Sequence, residues 1–120
     1  MSSLNSKQFD RPDETRTPDK TLVQVVDLGA AKAYRLTVQP GWRWSECIKP
    51  VAGTESCQAR HVGAVISGTL HVVSDDGSEL DLAPGDAYLL EPGHDAWVTS
   101  DEAFVGLEFE AATVATFGRS

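Results

Sequence analysis

From Thr21 onward, apolar and polar residues alternate in short runs, and a turn signal closes each run. Leu22-Val23-Gln24-Val25-Val26 is β-branched and stops at Asp27-Leu28-Gly29. Ala33 to Val38 alternates and ends at Pro40-Gly41. Trp42 to Ile48 alternates again, with Trp42, Trp44 and Glu46 on one face and Arg43, Ser45 and Cys47 on the other. Lys49 to Ser56 reads as a loop. His61–Ile66 and Thr69–Val73 form a strand pair around Ser67-Gly68, and Asp75-Asp76-Gly77 is a hairpin turn. Glu79–Leu82, Ala87–Leu90, Ala96–Val98 and Phe104–Phe109 complete the series, separated by Pro84-Gly85-Asp86 and Pro92-Gly93. No convincing amphipathic helix interrupts it. Short strands at close, even spacing predict an all-β fold, a sandwich or a small antiparallel β-barrel.

The first 20 residues break the pattern. They are polar, mixed in charge and without periodicity, so residues 1–20 read as an N-terminal arm, 21–110 as the β domain and 111–120 as a C-terminal tail. A chain of 120 residues holds one domain with one core. No apolar run reaches the roughly 18 residues of a membrane span, and the N-terminus lacks the apolar stretch of a secretory signal. A cytoplasmic protein is the expectation. Ten Lys+Arg stand against eighteen Asp+Glu, a net charge of −8, which disfavours nucleic acid and anionic membrane as partners. Two cysteines are too few for a secreted disulfide framework.

Three segments then match a known family in order and spacing. Val65-Ile66-Ser67-Gly68 is similar to the end of the first cupin motif, and Gly85-Asp86 with Pro92-Gly93 resembles the opening of the second. Pro40-Gly41 falls where the strand bearing the first cupin metal ligands begins. The resemblance covers roughly residues 21–110 and implies a double-stranded β-helix, or jelly roll, with its site in the enclosed pocket. It also implies homodimerisation, and it leaves the activity open, because cupins include dioxygenases, isomerases, epimerases, storage proteins and ligand sensors.

The family's ligand set is not carried over intact. Cys47 stands at the first His of the motif G-x5-H-x-H-x3,4-E-x6-G, and His61 stands at its Glu. Cys57, four residues before His61, stands where the second His can fall. The expected second-motif His is Ala96, and His94 lies two residues earlier. Cys47, Cys57, His61 and His94 form a candidate set of soft and borderline ligands that suits tetrahedral zinc better than magnesium or calcium. The alternatives are buried structural thiols, a core histidine, a solvated His94 and a Cys47–Cys57 disulfide. Arg43, Ser45 and Trp97 are candidate pocket residues. Trp42 and Trp44, opposite Cys47, read as an interface or outer-sheet face. His71 reads as structural or surface, and Glu91 as a rim charge. A zinc-binding cupin acting on a small organic molecule and a non-catalytic small-ligand sensor with a degenerate site are the two functional readings.

Overall fold

The computed structural model describes residues 4–111. Its elements run β1 (Glu14–Arg16), β2 (Thr21–Asp27), β3 (Ala31–Val38), the one-turn helices α1 (Trp44–Cys47) and α2 (Lys49–Ala52), then β4 (His61–Ser67), β5 (Leu70–Ser74), β6 (Glu79–Leu82), β7 (Ala87–Leu90), β8 (His94–Val98) and β9 (Phe104–Ala111). The strands make two antiparallel sheets, one of six in the order β1-β2-β3-β9-β4-β7 and one of three in the order β6-β5-β8. Each strand turns alternate residues to opposite faces, so one set of side chains from each sheet meets the other sheet. Val38, Val65, Leu90 and Phe104 of the large sheet pack against Leu70, Val72, Leu82 and Ala96 of the small one. Phe104, 1% exposed, lies at the centre of that contact.

The all-β jelly-roll expectation agrees with this architecture, but the barrel is not closed. Among the described residues no strand pairing joins the two sheets, and packing between their inner faces holds them together.

The expected strand over Trp42–Ile48 is a helix from Trp44 to Cys47. Trp44, Cys47 and Ile48 also stand at i, i+3 and i+4, and it is this face that packs into the core. No side chain of its own caps the helix; Asp95 on β8 accepts the Ser45 backbone N–H at 3.1 Å and so supplies a partner for an orphan donor of the first turn. The indoles of Trp42 and Trp44 are consequently buried, each 6% exposed, and do not form an outer or interface face. The loop expected from Lys49 contains α2, which carries Pro50 in its first turn and ends on Gly53 in the left-handed conformation.

The N-terminal segment contributes structure of its own. β1 pairs with β2, and the Asp13 carboxylate accepts the Asp27 backbone N–H at 2.7 Å. Arg35 reaches Asp10 and Gln24 and lies over the Phe9 ring, which fastens the segment to the outer face of β2 and β3. The expected tail lies outside the described residues beyond Ala111. No helix among the described residues is long and apolar enough to cross a membrane.

Where strands approach most closely, side chains are excluded. A Cβ on Gly63 would stand 2.2 Å from the Leu107 carbonyl oxygen and 2.9 Å from Glu108 Cγ. Gly63→Ala is expected to cost about 1–3 kcal/mol. Thermal unfolding followed by circular dichroism checks this, with a midpoint lowered by roughly 4–18 °C.

Candidate metal centre

The loop after α2 does not run free to β4. Cys57 donates its backbone N–H to the His94 carbonyl at 2.7 Å, and its own carbonyl accepts the Gly93 N–H at 2.6 Å. This isolated antiparallel bridge seats Cys57 beside the first residue of β8. Ser56 adds a hydroxyl bond to Asp75 at 2.7 Å, and Asp75 in turn donates its backbone N–H to the Gly93 carbonyl at 2.7 Å. His61 begins β4 on its inward face, the face shared with Val65, and His94 begins β8 on the face shared with Ala96.

Cys57, His61 and His94 therefore converge. One ligand atom from each lies within 4.8 Å of the other two. Cys57 Sγ is 3.6 Å from His61 Nε2, and the two imidazoles meet edge to face with centroids 5.4 Å apart. Both rings are pinned through Nδ1. His94 Nδ1 donates to the Glu91 carbonyl at 2.8 Å, and His61 Nδ1 donates to Glu108 Oε1 at 2.7 Å. A carboxylate and a carbonyl accept these bonds, so Nδ1 is the donor on that side of each ring, and Nε2 is the nitrogen left to meet Cys57 or, once deprotonated, a ligand.

The group's electrostatics follow from burial and mutual contact. Burial pushes the Cys57 thiol up, but hydrogen bonds from His61 and His94 outweigh it and hold the thiol at about 6. Burial pushes His61 down, and its bonds to Cys57 and Glu108 outweigh that to raise it to about 10. His94 is also raised, its bonds to Cys57 and Glu91 prevailing over burial. Burial and then the Glu108 charge push the Tyr88 hydroxyl up, so it keeps its proton and donates a hydrogen bond to Glu108 Oε2 at 2.7 Å.

These three residues fit a metal. About 2.3 Å to sulfur and 2.0–2.1 Å to nitrogen at a tetrahedral angle separate the two ligand atoms by roughly 3.6 Å, which is the 3.6 Å found between Cys57 and His61. A Cys-His-His set leaves a fourth position for water or substrate.

The other candidates lie elsewhere. Cys47 ends α1 and packs in the hydrophobic core outside the converging group; both cysteines are free thiols. Arg43, Ser45 and Trp97 do come together, but on the outer face of the small sheet. Strand alternation turns Trp97 away from Ala96 and His94. Arg43 lies over the Trp97 ring at 4.3 Å and reaches Ser45 and Asp95, while His71 covers Trp97 at 4.9 Å. The pocket reading for Arg43 and Ser45 assumed a strand where α1 stands. His71 sits between Asp81 and Glu79, 2.7 Å from each, and Glu91 is an exposed partner of Arg60. A cleft of about 240 Å³ opens beside His94, bordered by Val72, Leu80, Leu89, Leu90 and Glu91.

Glu108 and Tyr88 escaped the sequence reading. The signal was present in the phase of β9, where Phe104, Gly106 and Glu108 share the inward face, so an acidic residue points where only apolar ones are expected.

No protein-family model matches the chain, and no curated protein matches it. Solved structures do. A cupin 2 conserved barrel domain protein from Salinispora arenicola CNS-205 superposes with a TM-score of 0.63 at 19% identity, over 98% of this chain and 98% of its own. A sugar phosphate isomerase of the cupin superfamily from Silicibacter pomeroyi gives 0.62 at 18% identity, over 88% of this chain and 74% of its own. Oxalate decarboxylase from Lactobacillus farciminis gives 0.58 at 16% identity over 80% of this chain, which spans only 30% of that enzyme's length.

Titration of chelator-treated protein checks the charge state of the site. Ultraviolet thiolate absorbance that is lost in Cys57→Ala should rise with pH through a midpoint of about 6. In His61→Ala that midpoint should move upward, because the hydrogen bond that favours the thiolate is gone.

Proposed function

We propose that this chain, which has the cupin fold, binds a divalent metal through Cys57, His61 and His94, that the metal is zinc, and that the site works on a small organic molecule. The convergence of one thiol and two imidazoles within 4.8 Å, with Cys57 and His61 at tetrahedral spacing, carries this reading. Zinc in such a site supplies a Lewis acid that polarises a carbonyl or lowers the pKa of bound water. The protein's part is to hold both imidazoles by Nδ1 and to keep the thiol ionised. The cleft beside His94, lined by Ser74, Asp76 and Ser78 as well as Val72 and Leu90, is where we place the small molecule. Two free thiols suit the reducing cytosol.

Metal analysis of protein purified without a metal-affinity column should find about one zinc per chain. Cys57→Ala, His61→Ala and His94→Ala should each weaken zinc binding by at least about 100-fold, while Cys47→Ala leaves it unchanged. A metal content near zero with no uptake of added zinc overturns the reading.

One observation favours binding without catalysis. Glu108, the carboxylate beside His61, has both oxygens engaged, by His61 and by Tyr88, so it offers no free base to a substrate. A ligand-sensing role follows if zinc-loaded protein retains small molecules but turns none over.

The partner we propose is a second copy of the chain. Val62 pairs with Leu89 across β4 and β7, and Gly63 pairs with Glu108 across β4 and β9, so the next step along β9 sets Phe109 beside Val62. With Ile66, these side chains make an exposed apolar row on the outer face of the large sheet, Phe109 being 58% exposed. Sedimentation should give a dimer for the native chain and a monomer with unchanged circular dichroism for Phe109→Asp. A native chain that sediments as a monomer at every concentration refutes this.

A further inference from the structure

Glu108 is a charged side chain turned into the space between the sheets, and the chain makes room for it twice. Gly63, its neighbour on β4, has no side chain, and a Cβ there would stand 2.9 Å from Glu108 Cγ. Gly106, two residues before it on β9, leaves space for the Tyr88 hydroxyl, which would otherwise meet a Cβ at 2.7 Å. The carboxylate is only 14% exposed. A buried carboxylate is costly unless each oxygen is matched, and here each oxygen accepts one hydrogen bond: Oε1 from His61 Nδ1 and Oε2 from the Tyr88 hydroxyl. Glu108 bonds the Nδ1 side of the ring and Cys57 meets Nε2, so it acts through the ring.

We infer that Glu108, held in place by Tyr88, is a positioning residue that fixes the orientation of His61 so that Nε2 faces Cys57 and His94. A freely rotating imidazole would present either nitrogen, and each turn of the ring would break the ligand triangle. The Tyr88–Glu108–His61 chain removes that freedom with two short hydrogen bonds. The effect on metal affinity rests on the zinc reading above; the effect on the ring does not.

The test uses Glu108→Gln and Tyr88→Phe in the full chain, with Glu110→Gln as control, since Glu110 is exposed and bonds Tyr34 at 3.1 Å. In metal-free protein, nitrogen-15 spectra of the native chain should show a protonated His61 Nδ1 with a downfield, hydrogen-bonded proton. That signal should weaken and move upfield in Glu108→Gln, whose neutral amide oxygen is a poorer acceptor, shift less in Tyr88→Phe and persist in Glu110→Gln. Zinc affinity should fall about 10–100-fold in Glu108→Gln, less in Tyr88→Phe, and stay unchanged in the control. Should Glu108→Gln fail to fold, Tyr88→Phe carries the test, because it keeps the carboxylate and removes one of its two donors. A native chain that binds no zinc but whose His61 signal moves as described in the variants refutes the metal reading and supports the positioning role. An unchanged His61 signal in the folded variants, with zinc affinity within about twofold of native where zinc binds, overturns the inference.

Discussion

Cys57 donates its backbone N–H to the His94 carbonyl and accepts the Gly93 N–H. That exchange turns the excursion between α2 and β4 from a surface loop into a short extension of the small sheet. Without it, Cys57 and His61 would be neighbours in sequence only, and His94 would belong to a separate turn. With it, the thiol is buried beside two imidazoles, which sets its ionisation and gathers the three donors within 4.8 Å. Ser56 and Asp75 brace the same turn from the side, so the site rests on main-chain geometry more than on the three functional side chains.

Much of the fold is legible in the sequence, because alternation and turn residues both report local geometry. Glu79–Leu82 and Ala87–Leu90 have the bounds expected of them. The failure at Trp42–Ile48 is equally physical. Trp42, Trp44 and Glu46 satisfy a period of two, while Trp44, Cys47 and Ile48 satisfy a helical one, and a segment this short fits both. Burial decided between them, and part of the support came from Asp95, some fifty positions away, accepting the Ser45 N–H. A cap supplied by a distant strand leaves no local mark.

The site was legible to a different degree. Cys57, His61 and His94 stand out as soft ligands near the positions a cupin uses, and the structure brings them together. Cys47 stood on the same footing by spacing, yet the helix carries it into the core. Arg43, Ser45 and Trp97 are neighbours as expected, on the opposite side of the small sheet from the imidazoles. Glu108 is recoverable only by following the phase of β9, and Tyr88 only through its contact with Glu108.

His61 comes from the six-stranded sheet and His94 from the three-stranded one, while among the described residues no strand ladder crosses between those sheets. An ion held by both would act as a rivet across an open seam, adding to the apolar contact and the few hydrogen bonds that join the two layers. Its binding energy would then also resist separation of the layers, so that occupancy and mechanical integrity rise and fall as one quantity. Were the ion withdrawn, the seam would be left to side-chain packing and the hydrogen bonds around Cys57.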